Sequence, residues 1–285
     1  MKHQLSQHSQ QRVLLINHCL VFIVGVLSLL FSYQLYAQQQ VTLFLPISSA
    51  DQSEFTQELK AALDQQGLRN TTLQFADHWH DYQQGLREGK AGIYFAAPHF
   101  SAWAINRHEF KPLVKIAAPL SYVISAKYSN TKIFEITDLI RQQVCSTQPL
   151  ELDYIFLTET FENQFASFDH QFVPAVYDEM NTKESDCDGF VISDHFLQRM
   201  IKNGNREYTR LHQSETYNNY SFIAHPNIDT VFLEKLTAFL IDKDNQALLQ
   251  PILERYANDS KLIQATTLDY PIEYLDSLKS YWPPE

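Results

Sequence analysis

The run Ala91-Gly92-Ile93-Tyr94-Phe95-Ala96-Ala97, bracketed by Gly89 and Pro98, constrains the fold more than any other stretch of this chain. It is too short for a helix and suits a strand buried on both faces. Upstream, residues 81–90 read as a short amphipathic helix ended by Gly89, a residue suited to a left-handed cap. Downstream, Pro98 stops the strand, and a new helix can start near His99 to Ser101 with its free backbone N–H groups beyond the strand's carboxyl end. In open α/β sheets that end is where ligands bind.

The remainder alternates strand and helix signals at βαβ spacing without internal repeats, which predicts parallel sheets. Val41–Leu45 is the first expected strand, followed by Ser48, Ser49 or Asp51 capping a helix with Phe55, Leu59, Ala62 and Leu63 on one face. Thr71–Phe75 is the second strand, and its outgoing loop is Asp77-His78-Trp79-His80-Asp81. Further strands are expected over 113–117, 121–126, 144–147, 172–176, 189–193 and 220–224. Helices are expected over 136–142, 153–161, 229–240 and 246–256.

The amino terminus carries Lys2 and Arg12 without an acidic residue, then an apolar run over 20–31 and Leu35-Tyr36-Ala37 before Gln38. That layout predicts a cleaved secretory signal peptide over 1–37 and a periplasmic, exported chain beginning at Gln38. The competing reading is a retained membrane anchor, opposed by Asn17 and His18 just before the run. Losing Lys2 and Arg12 from 22 basic residues against 33 acidic ones leaves a formal charge of −13, which argues against a nucleic-acid partner. With 45% hydrophobic and 13% aromatic residues the chain has ample material for a packed core.

The pattern D-Y-x-x-x-L-x-x-G-K-x-x-I-x-x-x-x-P, from Asp81 to Pro98, resembles the first lobe of periplasmic solute-binding proteins of the phosphonate-binding type. The resemblance runs from 41 to 252 and is strongest over 81–103. It implies a two-lobed α/β fold of the type II periplasmic-binding class, with mostly parallel sheets and a ligand cleft between the lobes. The first lobe would comprise 38–126 and 213–285, and the second 127–212. The implied function is closure over a small polar ligand and its presentation, by a monomer without cofactor, to an ABC transporter permease or a membrane sensor. A sensory or degenerate module of the same fold is the alternative, as is a periplasmic hydrolase.

Gly-x-Ser-x-Gly, P-loop, Gly-x-Gly-x-x-Gly and His-Glu-x-x-His patterns are absent, so enzymatic chemistry has no motif to rest on. Trp79 and His80 fall in the loop expected on the cleft side, Trp79 as a flat wall for a ligand or a loop anchor. If that loop is extended, His78 and His80 point the same way and with a carboxylate invite a divalent metal; a capping Asp with solvated histidines outweighs that reading, and no metal is expected. Tyr82 lies where the family pattern has a ligand-contacting tyrosine, with core packing as the other reading. His99 and Ser101 lie at the helix start where the family holds ligand, with Ser101 alternatively a cap. Asp194, after the strand Gly189–Ser193, matches a family carboxylate that meets a cationic ligand group, or caps the following helix.

The resemblance also places Cys145 and Cys187 on neighbouring strands of the second lobe, as a disulfide suited to an oxidising compartment, with a pair of small buried hydrophobes as the other reading. In the family the strand ending here at Ser146 and Thr147 leads into a Ser-Thr-Ser-Gly-like turn that holds an anion. In this chain Gln148-Pro149-Leu150-Glu151-Leu152-Asp153 follows, which substitutes Glu151 and Asp153 for hydroxyls and removes one N–H at Pro149. Like charges there would repel an anion by several kcal/mol at an effective dielectric of about 20. The expected ligand is therefore cationic or zwitterionic rather than a simple phosphate or phosphonate.

Overall fold

The structure, a computed structural model, describes residues 40–45, 53–75, 79–162, 167–173, 176–182, 185–204, 207–258, 260–279 and 281–282. The leader, its cleavage point before Gln38, the cap residues Ser48, Ser49 and Asp51, and Asp77 and His78 lie outside them. Among the described residues no helix is long and apolar enough to cross a membrane.

Strands are numbered in chain order. The first sheet holds β1 (Val41–Leu45), β2 (Thr71–Phe75), β3 (Ile93–Ala96), β4 (Lys111–Ile116), β10 (Ser221–Ala224) and β11 (Leu262–Gln264), in the order β11-β4-β10-β3-β1-β2. The second holds β5 (Tyr122–Lys127), β6 (Gln143–Ser146), β7 (Asp169–Phe172), β8 (Gly189–Ser193) and β9 (Tyr208–Gln213), in the order β7-β6-β8-β5-β9. The first sheet is packed by helices α1 (Ser53–Gln65), α2 (Trp79–Arg87), α3 (Pro98–His108), α7 (Thr230–Ile241), α8 (Lys243–Gln246) and α9 (Gln250–Tyr256). The second carries α4 (Leu152–Glu162), α5 (Val176–Met180) and α6 (Asp194–Lys202).

β3 is the strand announced by the apolar run, and all four of its residues are buried. It pairs in parallel with β1, and Tyr94 stacks on Phe44 with ring centroids 4.4 Å apart. Gly89 takes φ +66° after α2, where the Lys90 N–H returns to the Gly85 carbonyl at 2.8 Å. α3 begins with Pro98, and Phe100 and Trp103 are buried beneath it, where Trp282 packs on both rings.

Four expectations are corrected. Parallel pairing holds for β1 with β2 and β3, and for β6 with β7 and β8, but β4, β5, β9, β10 and β11 pair antiparallel. β5 and β10 carry the chain from one sheet to the other, so each enters its new sheet at the end where the parallel strands leave it. For the same reason the strand over 121–126, expected in the first lobe, belongs to the second sheet, where β8 and β9 bond both its edges. The strand expected over 172–176 runs instead over Asp169–Phe172, because the β6 ladder fixes the register Gln143↔Asp169 to Ser146↔Phe172; Val176 then opens α5. The helix expected over 136–142 is a single 3₁₀ turn, Ile136–Leu139, stopped by an extended Ile140.

Cys145 on β6 and Cys187 just before β8 form a disulfide with Cα atoms 5.8 Å apart. The two chain crossings between sheets run side by side as a hinge. Leu120 and Tyr217 exchange N–H···O bonds of 3.0 and 2.8 Å, the Ile116 N–H reaches the Tyr220 carbonyl at 3.0 Å, and the Ser214 N–H reaches the Tyr122 carbonyl at 2.9 Å. Asn219, buried between them, donates through Nδ2 to the carbonyls of Ala118 and Tyr256 at 3.1 Å each.

Candidate functional site

Both sheets turn the carboxyl ends of their parallel strands toward one space. β3 ends at Ala96 opposite Ser221, where β10 begins, and β8 ends at Ser193 opposite Tyr122, where β5 begins. A cavity of about 430 Å³ opens there, lined by Tyr122 and Tyr220 of the hinge, Arg255 and Tyr256 of α9, and Glu151 and Asp153 after β6. Strand ends beside a chain crossing are where such sheets bind ligands.

The turn after β6 is closed on itself. The Thr147 backbone N–H donates to Asp153 Oδ2 at 2.9 Å, and the Thr147 hydroxyl donates to Oδ1. Burial raises the Asp153 carboxyl pKa above its usual value, although the Thr147 bonds pull it down. Glu151, nearly buried, accepts from Gln83 Nε2 at 3.3 Å. Burial also raises the phenol pKa values of Tyr122, Tyr220 and Tyr256, and the Glu151 charge acts the same way on all three. These hydroxyls are therefore protonated donors at neutral pH.

His195 lines the same cavity. Burial, with the Arg199 cation second, lowers its pKa to about 4, while a bond to the Arg255 backbone works in the other direction. The ring is neutral, and its buried Nε2 has no hydrogen-bond partner among the described residues. It is a buried ring nitrogen left without a partner beside the cavity.

Three ties draw the lobes together around the cavity. His99 Nε2 donates to the Leu150 carbonyl at 2.8 Å, which requires the tautomer protonated at that nitrogen. Gln83 bonds Glu151, as above. Arg199 of α6 donates to the Glu254 carbonyl and to Asn258 Oδ1 at 2.8 Å each, and Asn258 Nδ2 donates to the His195 carbonyl at 2.8 Å.

The residues read from the sequence distribute unevenly. Thr147, Glu151 and Asp153 line the cavity. Ser146 is buried outside it, with Oγ 2.9 Å from His170 Nε2. His99 sits at the lobe contact rather than on the cavity, fully buried, and burial lowers its pKa to about 3 against the Leu150 bond that raises it. Tyr82 is core: its hydroxyl donates to the Phe95 carbonyl at 2.7 Å. Ser101 neither caps α3, whose N-cap is Ala97, nor reaches the cavity; its hydroxyl lies 2.9 Å from Ser221 Oγ inside the first sheet's packing. Asp194 is the first residue of α6 and pairs with Arg210 while accepting from Gln198, so its charge is matched within the second lobe. The extended loop imagined for His78 and His80 does not form at its second half, because Trp79 and His80 already belong to α2; the Trp79 side chain lies outside the described residues. His80 is exposed. Among the described residues no group of three or more His, Cys, Asp and Glu side chains is placed to hold a metal ion.

Sequence reasoning missed Tyr122, Tyr220, His195, Arg255 and Tyr256. Tyr122 and Tyr220 carry a signal in retrospect, since each stands at the first residue of, or immediately before, a strand that changes sheet.

Residues 43–270 match the family model described as "ABC transporter, phosphonate, periplasmic substrate-binding protein". No curated protein sequence matches the chain. Among solved structures, PhnD1 from Prochlorococcus marinus in complex with methylphosphonate aligns with a TM-score of 0.64 at 11% identity, over 84% of this chain and 97% of that one. XAC2383 from Xanthomonas citri bound to ATP gives the same figures, 0.64 and 11% over 84% and 97%. A binding-protein component of an ABC phosphonate transporter from Pseudomonas aeruginosa aligns at 0.62 and 14%, over 86% and 88%. At these identities the likeness fixes the fold, the two-lobed type II periplasmic-binding class.

Proposed function

Since the chain belongs to the family of periplasmic substrate-binding proteins of phosphonate ABC transporters, we propose that it closes over a small cationic or zwitterionic solute and presents it to a membrane permease or sensor. Hinge closure favours the bound state through contacts made by both lobes at once. Export with cleavage before Gln38 and action as a monomer in the periplasm complete this reading.

The observation that carries the choice of solute is the Asp153 carboxylate bonded to both Thr147 donors. A phosphonate placed after β6 would have to displace it. Glu151 adds a carboxylate suited to an ammonium group, and Arg255 supplies one cation for an anionic end. PhnD1 from Prochlorococcus marinus holds methylphosphonate on the same fold, so the difference is one of side chains. A hydrolytic reading would rest on Ser146 and His170, but Ser146 is buried and does not line the cavity.

Native mass spectrometry of protein purified without denaturation identifies a retained solute. Calorimetric titration with phosphate, phosphite, methylphosphonate and small amines or amino acids then tests its class. Micromolar binding of any of the three anions would overturn the reading.

A further inference from the structure

A second concavity, of about 720 Å³, runs along α2 and α3 of the first lobe. Trp103, Trp282 and Leu150 give it apolar walls, and Arg87, Arg107 and His80 are among its polar lining. Neither guanidinium takes part in an ion pair among the described residues; Arg107 lies 5.5 Å over the Trp103 ring. Glu88, the one carboxylate of the lining, accepts from Gln84 Nε2 at 2.7 Å. On a chain of formal charge −11, two unmatched arginines in one groove stand out.

The groove is held in shape by its own bonds. Trp103 Nε1 and His108 Nε2 both donate to the Arg87 carbonyl, at 3.3 and 2.7 Å, which pins the end of α2 to the helix that carries Arg107. Leu150 comes from the other lobe, with its carbonyl held by His99. Gln83 lines the groove while its Nε2 bonds Glu151, which lines the interlobe cavity, so one hydrogen bond joins the two walls.

We propose that this groove is a second ligand site, for a small organic anion whose carboxylate or phosphate faces Arg87 and Arg107 while its apolar body lies against Trp103, Trp282 and Leu150. Arginine forks bind such oxyanions in bidentate fashion, and the volume is within the roughly 300–1,000 Å³ of small-molecule sites. The apolar walls favour an anion with a hydrocarbon or aromatic part over inorganic phosphate.

The probe is phenyl phosphate, with inorganic phosphate for comparison, titrated into the whole exported chain by tryptophan fluorescence and calorimetry. Phenyl phosphate should bind at least tenfold more tightly than inorganic phosphate. The double variant Arg87→Ala/Arg107→Ala should weaken it at least tenfold, Arg87→Lys/Arg107→Lys by less, and Arg255→Ala in the interlobe cavity should leave it unchanged; circular dichroism checks that each variant is folded. Absence of binding, binding indifferent to the arginine pair, or loss on Arg255→Ala overturns the proposal.

Discussion

His99 of the first lobe donates through Nε2 to the carbonyl of Leu150 on the second, 2.8 Å away, with the imidazole wholly shut off from water. Its pKa is about 3 against an ordinary 6.5, so the folded protein resists protonating it while the unfolded chain does not. The stability this ring contributes is fully present above pH 6.5 and is lost as pH falls toward 3, by as much as about 5 kcal/mol. Replacing it by Gln, which can donate from a similar place and does not titrate, should flatten the dependence of stability on pH over that window. Equal slopes for His99→Gln and the parent in urea unfolding at several pH values would refute the linkage.

Removing the Asp153 charge should open the turn after β6 to anions. In Asp153→Asn the carboxylate no longer repels an oxyanion or binds the Thr147 donors as strongly. Methylphosphonate binding should strengthen at least tenfold, about 1.4 kcal/mol, in calorimetry. No gain in affinity means that Asp153 does not exclude the anion.

Reduction of Cys145–Cys187, which are separated by 42 positions, should lower the unfolding free energy by roughly 4 kcal/mol on chain-entropy grounds. The comparison is between denaturant midpoints with and without reductant. An unchanged midpoint, with free thiols verified by labelling, would show that the bond does not stabilise this fold.

At Gly89 the backbone has φ +66°, and an added Cβ would lie 2.6 Å from the His108 ring. Gly89→Ala should cost about 1–2 kcal/mol for the left-handed conformation and more for moving His108 off the Arg87 carbonyl. Thermal unfolding of the variant measures it, and a loss below half that figure would mean the turn relaxes freely.

What the sequence made legible was what local chemistry decides. The apolar run between Gly89 and Pro98 became β3, and Gly89 took the left-handed cap, because each answers to its immediate neighbours. Ser101, Tyr82 and Asp194 were read at the level of the helix start, yet their partners are Ser221, the Phe95 carbonyl and Arg210, which a linear pattern does not bring near. Thr147, Glu151 and Asp153 of the cavity lining were legible, but Tyr122, Tyr220, Arg255 and Tyr256 were not, being brought together by two chain crossings and a helix more than a hundred residues later. The antiparallel strands followed from those crossings too, which an alternation of strand and helix signals does not encode.

The placement of β10 makes the first sheet depend on a late segment of the chain. Strands β5 to β9 form a continuous stretch that supplies every strand of the second sheet, whereas among the described residues β4 pairs in the first sheet only with β10 and β11. Until Ser221–Ala224 is available, the first sheet is a three-stranded fragment with an open edge at β3, and closing it requires pairing between residues more than a hundred positions apart. In a chain that has not yet supplied Ser221–Ala224 the second sheet has all its strands and the first does not, and the unpaired edge of β3 is the surface a misfolding neighbour would meet.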